Sequence, residues 1–263
     1  MVKLKQIPAK YIFNFLVNLG NYFFDFFFPK ICLFCKDRIV LEHLENDSNI
    51  SSIFTSKINN KSTEYFCGNC KAKIEFAPPK DEIISNLVTS FPQNQLAISN
   101  AVSLFSSSEE IPAFELIYKL KYQGFTKIGV EYGTWLGKIL ADYNLKQYDF
   151  IVPVPIHKIK KRERGYNQSD FIARGVNKII QVPIAYDLLI RIKHTKSQTQ
   201  LNSVERKTNL LNVFRVNDAY DLRGKKILLI DDVLTTGATV NNCALALLEG
   251  SASLVDVATL LKA

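Results

Sequence analysis

The sequence predicts an α/β protein with a doubly wound, mainly parallel sheet, preceded by a small module that holds a metal through cysteines. Three observations indicate this fold class. Apolar runs of strand length alternate with segments of helical periodicity from about residue 97 to residue 263. Residues 226–239 are typical of a buried parallel strand that leads through a polar turn into a helix. Two Cys-x-x-Cys pairs lie in the first third of the chain, outside the alternating region.

Residues 1–30 predict an amphipathic leader helix rich in aromatic side chains. Polar residues recur every third or fourth position and form one stripe, which consists of Asn14, Asn18, Asn21 and Asp25. A membrane-spanning helix would carry this stripe into lipid at considerable cost, and no small-x-small cleavage site precedes Pro29. We expect the leader to pack on the protein itself, with docking to a membrane surface as the alternative. The corresponding expectation is a cytoplasmic protein without a membrane span.

Residues 31–80 predict a metal-binding module with an inserted polar loop. Its cysteines form two pairs, Cys32 with Cys35 and Cys67 with Cys70. Two such pairs can supply the four thiolates of a closed, tetrahedral, structural zinc site. Disulfides are the alternative, which the expected cytoplasmic location disfavours. The Asn/Ser/Lys-rich tract between the pairs indicates a loop rather than core. We expect zinc to provide most of the stability of so small a module.

Residues 97–263 predict the larger α/β domain. Its elements follow one another as strand, two helices, strand, helix, strand, then strand, helix and strand. The segments that carry these patterns are 95–105, 109–124, 129–143, 148–156, 167–180, 182–192, 225–232, 237–250 and 253–262. Ligands of a doubly wound sheet bind at the carboxyl ends of its strands, so functional residues are expected there.

The segment "KILLIDDVLTTGAT" is the strongest functional signal. Ile227–Ile230 predict a strand, and Asp231 and Asp232 stand at its carboxyl end. The following turn leads into a helix N-terminus, where backbone amides, threonine hydroxyls and the helix dipole favour a phosphate. The residues of this turn are Leu234, Thr235, Thr236, Gly237, Ala238 and Thr239. Since the carboxylates can accept hydrogen bonds from sugar hydroxyls, a ribose with a 5′-phosphate satisfies both features.

Ile227–Thr239 resembles the phosphoribosyl pyrophosphate (PRPP) signature of type I phosphoribosyltransferases. A receiver-like acidic pocket would explain the two acids but not the threonine-rich turn. The resemblance implies that Asp231 and Asp232 hold the ribose 2′- and 3′-hydroxyls. It also implies that Leu234–Thr239 holds the 5′-phosphate and that Mg²⁺ accompanies the pyrophosphate.

Further segments resemble a narrower family, the ComF competence proteins. They are residues 118–124, 152–175 and 191–214, together with the cysteine pairs and the leader. The resemblance implies a zinc ribbon joined to a phosphoribosyltransferase-type domain that handles single-stranded DNA in natural transformation. It implies a helicase-like translocase or recombination mediator as partner. The chain departs from the family in its longer inter-cysteine segment and in "SQTQ" near Gln198, where relatives often have a Pro-Gln pair.

Basic residues predict anion binding. The formal net charge is +8, which favours a polyanionic partner, although a lysine-rich composition alone would give the same value. The family resemblance implies that the segment 152–175 begins where such enzymes have their pyrophosphate loop. Within it, the basic run 158–164 favours anion binding, with Arg164 as a bidentate ligand and a merely solvated loop as the alternative. The predicted nucleic-acid-binding residues are Lys119, Lys121, Tyr122, Lys160, Lys161 and Arg162. For the first three, an ordinary lysine-bearing helix surface is an equal alternative.

Three functional hypotheses follow from these patterns. The favoured one is a PRPP/Mg²⁺ pocket, or a site for another 5′-phosphorylated ligand, in a DNA-handling competence protein. The second is an active phosphoribosyltransferase with an unidentified acceptor, in which Asp231, Asp232 and Arg164 would be the catalytic residues. The third is an adaptor whose zinc module and leader bind partner proteins.

Overall fold

The computed structural model describes residues 29–39, 65–92, 95–107, 113–145, 147–192 and 213–263. The chain divides into two compact units, Met1–Lys73 and Ile74–Ala263. The predicted leader helix and the inserted polar loop lie outside the described residues, apart from their ends. So does most of the segment 191–214, including Gln198.

Helices and strands alternate through most of the larger unit. The strands are β1 (Asn100–Ser106), β2 (Phe150–Pro153), β3 (Leu189–Arg191), β4 (Phe214–Val216), β5 (Lys226–Leu234) and β6 (Leu254–Lys262). The helices are α1 (Gly68–Lys71) in the smaller unit and, in the larger one, α2 (Lys80–Ser90), α3 (Ala113–Tyr122), α4 (Thr126–Asp142), α5 (Lys158–Arg164), α6 (Gln168–Ile180) and α7 (Ala238–Glu249).

The main sheet is parallel and has the strand order β1-β6-β5-β2. Ile227–Ile230 in β5 are fully buried, as expected for a central strand covered on both faces. The predicted class, an α/β fold with a mainly parallel sheet, is confirmed. The carboxyl ends of β2 and β5 lie side by side, because Pro153 pairs with Ile230.

Helices α4 and α6 approach each other closely through glycines. A Cβ atom on Gly133 would overlap the carbonyl oxygen of Ile172, and one on Gly175 would overlap that of Val130. A Cβ on Gly129 would lie 2.9 Å from Cβ of Phe171. Backbone therefore packs against backbone, which fixes where α6 begins relative to the sheet.

The structure differs from the predicted elements in three places. Strand β5 does not stop at Ile230, because its pairing with β6 continues from Asp231 opposite Thr259 to Leu234 opposite Lys262. The acids are therefore part of the strand. Residues 158–164 form the short helix α5 instead of a loop, because Nδ1 of His157 accepts the amide of Ile159 at its start.

The third difference concerns residues 182–192, which were predicted as one strand. They do not form a continuous strand of the main sheet. Ile184 makes an isolated parallel bridge to Ile151, next to Pro183, which has no amide hydrogen. The chain then turns, and β3 pairs with β4 in a separate antiparallel ribbon.

The start of the larger unit includes residues that the sequence placed before the α/β domain. The Ala77 amide donates to the Leu104 carbonyl at 3.1 Å, and Phe76 bridges Phe105. Helix α2 follows, with Ile83 and Leu87 buried. This segment therefore adds to the β1 side of the fold.

Candidate functional site

The first candidate site is a cluster of four cysteines in the smaller unit. The sulfur atoms of Cys32, Cys35, Cys67 and Cys70 all lie within 4.8 Å of one another. The Sγ atoms of Cys35 and Cys67 are 3.6 Å apart, and all four thiols are free. A tetrahedral zinc with bonds of about 2.3 Å separates its sulfurs by about 3.8 Å, whereas a disulfide needs about 2.05 Å. The cluster can therefore hold a metal ion such as zinc.

Two short turns present these sulfurs. The Lys36 amide donates to the Cys32 carbonyl at 3.1 Å, and the Lys71 amide donates to the Cys67 carbonyl at 2.9 Å. The turns are joined by the Leu33 amide, which donates to the Tyr65 carbonyl at 2.9 Å. Each cysteine pair thus closes a local loop, and backbone bonds bring the two loops together.

The second candidate site is the acid pair in β5. Asp232 is 4% exposed, and Asp231 is partly buried. The Oδ1 atom of Asp231 accepts hydrogen bonds from Oγ of Ser169 at 3.1 Å and from the Asp232 amide at 2.9 Å. The Oδ2 atom of Asp232 lies 2.9 Å from Nζ of Lys121. Two acids side by side are therefore compensated by one cation and two neutral donors.

Electrostatics at the pair favours a proton on Asp231. Burial and the neighbouring Asp232 carboxylate raise the pKa of Asp231 to about 7. The Asp232 amide, Lys121 and Ser169 oppose this rise, because they stabilise the ionised form. The pair therefore carries less than two full negative charges near neutral pH.

The predicted phosphate turn follows directly from the acid pair. Gly237 adopts a left-handed conformation with φ of 79° and caps α7. A Cβ atom there would lie 2.6 Å from Cδ2 of Leu87 in α2, so both conformation and packing require glycine. Thr235, Thr236, Ala238 and Thr239 are exposed beside the first amides of α7, which have no intrahelical acceptor in a helix. The turn therefore offers donors to an anion.

Arg164 lies at the end of the helix α5, and two other side chains hold its guanidinium. Its Nη1 atom donates to Oε1 of Gln168 at 2.9 Å, and its Nη2 atom donates to the Tyr122 hydroxyl at 3.2 Å. Its guanidinium also lies 4.8 Å from the centre of the Tyr122 ring. Arg164 thus links the end of α5 to the end of α3.

Asn167 fixes the start of α6 beside the acid pair. Its Nδ2 atom donates to the Val154 carbonyl at 3.0 Å, and its Oδ1 atom accepts the Ser169 amide at 3.3 Å. Since Val154 follows β2, this cap ties α6 to the strand end and brings the Ser169 hydroxyl to Asp231. Asn167 therefore caps the N-terminus of α6.

The predicted nucleic-acid-binding residues separate into two groups. Lys160, Lys161 and Arg162 are exposed on α5, and the Tyr122 side chain is 60% exposed. Lys119 donates to Gln123 at 2.6 Å, away from the acid pair. Lys121 instead turns towards Asp232, so that its ammonium belongs to the pocket.

The contacts of Lys121 and Ser169 with the acid pair were not predicted. The sequence did contain one indication for Lys121. Lys119 and Lys121 are two residues apart on a helix, so their side chains point in directions that differ by about 200°. Lys119 and Lys121 therefore cannot serve the same surface. No local pattern indicates that Ser169 meets Asp231, since 62 residues separate them in the chain.

The chain is similar in sequence to a known domain family and to several curated proteins. Residues 163–263 match the family model "Phosphoribosyl transferase domain". The chain is 33% identical to competence protein F of Haemophilus influenzae over 38% of the chain and 44% of that protein. It is 26% identical to the DNA utilization protein YhgH of Escherichia coli, over 73% of the chain and 75% of that protein. It is 29% identical to competence protein ComFC of Bacillus subtilis, over 56% of the chain and 59% of that protein. The match thus covers less than half of the length of the first relative and more than half of the length of the other two.

The described residues were also searched for membrane spans. None of their helices is both long enough and apolar enough to cross a bilayer.

Proposed function

We propose that the chain is a competence protein of the ComF type with a phosphoribosyltransferase-like domain. We further propose that it binds PRPP with Mg²⁺ at the β5–α7 junction. The protein would handle single-stranded DNA during natural transformation. It would work beside a helicase-like translocase or a recombination mediator.

One observation carries the PRPP proposal. The partly buried Asp231 and the buried Asp232 are adjacent in β5, and the N-terminus of α7 follows closely, with Asp232 and Gly237 only five positions apart. Carboxylates accept hydrogen bonds from vicinal hydroxyls, whereas amides and threonine hydroxyls donate to phosphate. A ribose 5-phosphate carries both groups.

The implied metal ions fit the two sites differently. Mg²⁺ prefers oxygen ligands and keeps several waters, so pyrophosphate oxygens and ribose hydroxyls would hold most of it. Asp231 and Asp232 would be the protein carboxylates beside that ligand. Zinc would be held by Cys32, Cys35, Cys67 and Cys70 and would stabilise the smaller unit.

The DNA proposal is supported by exposed cations beside an exposed aromatic ring. Lys160, Lys161 and Arg162 on α5 supply charge for phosphates. Arg164 lies over the Tyr122 ring, and Tyr122 as a whole is 60% exposed, so a base can reach this aromatic side chain and stack on it. Affinity for single strands should therefore fall with salt, with a slope of about −0.7 per phosphate neutralised.

Calorimetry with PRPP and Mg²⁺ tests the pocket. The double variant Asp231→Asn, Asp232→Asn should lose binding by a factor of about 100 or more, because both hydroxyl acceptors are weakened. The control variant Asp142→Asn, Asp218→Asn removes the same charge from exposed positions and should bind normally. Equal affinities of the two double variants would reject the pocket. Release of pyrophosphate from PRPP in the presence of an acceptor would establish turnover as well.

A further inference from the structure

The ion pair between Lys121 and Asp232 lies inside the proposed ribose site. The two charged atoms are 2.9 Å apart, and the side chains are 23% and 6% exposed. Lys121 belongs to the last turn of α3, so the cation comes from a helix outside the β5–α7 segment. In this structure the Asp232 carboxylate, which a ribose hydroxyl would need as an acceptor, is already paired with the Lys121 ammonium.

The two carboxylates of the pair differ in how they are held. Asp231 accepts from a hydroxyl and an amide, which are neutral donors fixed by α6 and by β5 itself. Asp232 is held by a flexible lysine, whose ammonium ends a four-carbon chain. A hydroxyl that approaches the buried Asp232 must share with this ammonium or replace it.

We propose that Lys121 is a positioning residue of this pocket that selects sugars with an anionic group on C1. It would hold Asp232 until a sugar diol replaces it, and would then bind the phosphoryl oxygens on the neighbouring C1 carbon. The inference rests on the proposed PRPP function and adds the residue that distinguishes PRPP from ribose 5-phosphate.

Charge explains why the selection works. A displaced ammonium loses its ion pair with one buried carboxylate. A pyrophosphate offers several anionic oxygens in return, so displacement is compensated when PRPP binds. Ribose 5-phosphate has only a hydroxyl on C1, so the ammonium gains no comparable partner there. The same lysine should therefore favour one ligand and oppose the other.

Affinities of Lys121→Met for PRPP and for ribose 5-phosphate, both with Mg²⁺, test the proposal. We expect PRPP binding to weaken about 10- to 100-fold, because a charge-assisted bond is lost. Binding of ribose 5-phosphate should stay unchanged or become tighter. The ratio of the two affinities should therefore fall at least about tenfold. Lys127→Met, a matched loss of charge at an exposed position of α4, should leave both affinities unchanged.

A conservative variant and a folding control complete the test. Lys121→Arg keeps the charge and should retain most of the preference for PRPP. Thermal unfolding of each variant verifies that the domain is intact, and Lys121→Gln replaces Lys121→Met if that variant does not fold.

Two outcomes would overturn the inference while PRPP binding stands. In the first, Lys121→Met weakens the binding of PRPP and of ribose 5-phosphate equally, which indicates a merely structural lysine. In the second, Lys121→Met changes the affinity for neither ligand. If the wild-type protein binds neither ligand, the proposed function itself fails and the inference fails with it.

Discussion

The cysteine cluster and the acid pocket both crowd groups of like charge, but they are compensated in different ways. The four sulfurs lie within 4.8 Å of one another, and the compensating charge must come from a bound cation. The two carboxylates are compensated within the chain, by Lys121, by Ser169 and by the raised pKa of Asp231. A cluster of thiolates would therefore need a bound ion, whereas the acid pair is compensated by the chain itself.

Metal removal should have the largest effect and would show the dependence of the smaller unit on its ion. Binding of structural zinc by small domains is worth about 10–16 kcal/mol, so a chelator or Cys67→Ser should unfold this unit. Limited proteolysis and metal analysis measure the result. Equimolar zinc should co-purify with the reduced protein, and cleavage within 29–39 and 65–73 should appear only after zinc is lost. If the metal-free protein resisted proteolysis in this unit as well as the zinc-bound protein does, the expected dependence of the unit on its ion would be contradicted.

Gly133→Ala tests how rigidly the acid pocket is assembled. The added methyl group would overlap the Ile172 carbonyl oxygen and push α6 away from α4. Overpacking of this kind costs about 1–3 kcal/mol. Because α6 carries Ser169, PRPP affinity should fall together with stability. Urea unfolding and calorimetry measure both, and the zinc content should stay the same. A variant of normal stability would show that the helix contact is adaptable.

The raised pKa of Asp231 predicts how the acid pair responds to pH. A carboxyl whose folded pKa lies above its unfolded value of 3.8 stabilises the fold below that value. This contribution is lost as pH rises towards about 7. Asp231→Asn, which does not ionise, should therefore gain stability relative to wild type between pH 4 and 8. The shift from 3.8 to about 7 corresponds to about 4 kcal/mol at pH 8, which is the upper bound of the gain. Denaturant midpoints at pH 5 and pH 8 measure it, and a difference independent of pH would contradict the assignment.

Tyr122→Ala should have the smallest effect and should spare both sites. Loss of one stacking surface weakens single-strand binding by about 1 kcal/mol or somewhat more, which is roughly five- to tenfold. Tyr143→Ala, a loss of another partly exposed tyrosine, is the matched control. Fluorescence anisotropy with a labelled oligonucleotide measures the change. Equal affinities of the two variants would remove Tyr122 from the proposed DNA surface.

The sequence was sufficient wherever the functional groups are close in the chain. The cysteine spacing predicted the observed cluster, and the order of acids, turn and helix predicted the β5–α7 junction. Both depend on local geometry, in which a pair or a turn is set by a few neighbouring residues. The same locality explains why helix α7 was predicted almost to its ends.

Contacts between distant segments could not be predicted in this way. Lys121 meets Asp232 only because α3 ends beside the carboxyl end of β5, and Ser169 meets Asp231 only because Asn167 ties α6 to β2. Helix α5 was predicted as a loop because its charged residues lack an apolar face, while its start depends on the His157 side chain. The separate β3–β4 ribbon likewise depends on pairing across a long stretch of chain.

Helix α2 gives the phosphate turn a support that lies outside the turn itself. Leu87 fills the space where a side chain on Gly237 would project, and Phe91 lies next to it. A graft of residues 226–250 onto a different parallel sheet would leave this support behind. The transplanted peptide would keep every donor and acceptor of the motif, yet nothing would hold its backbone in shape.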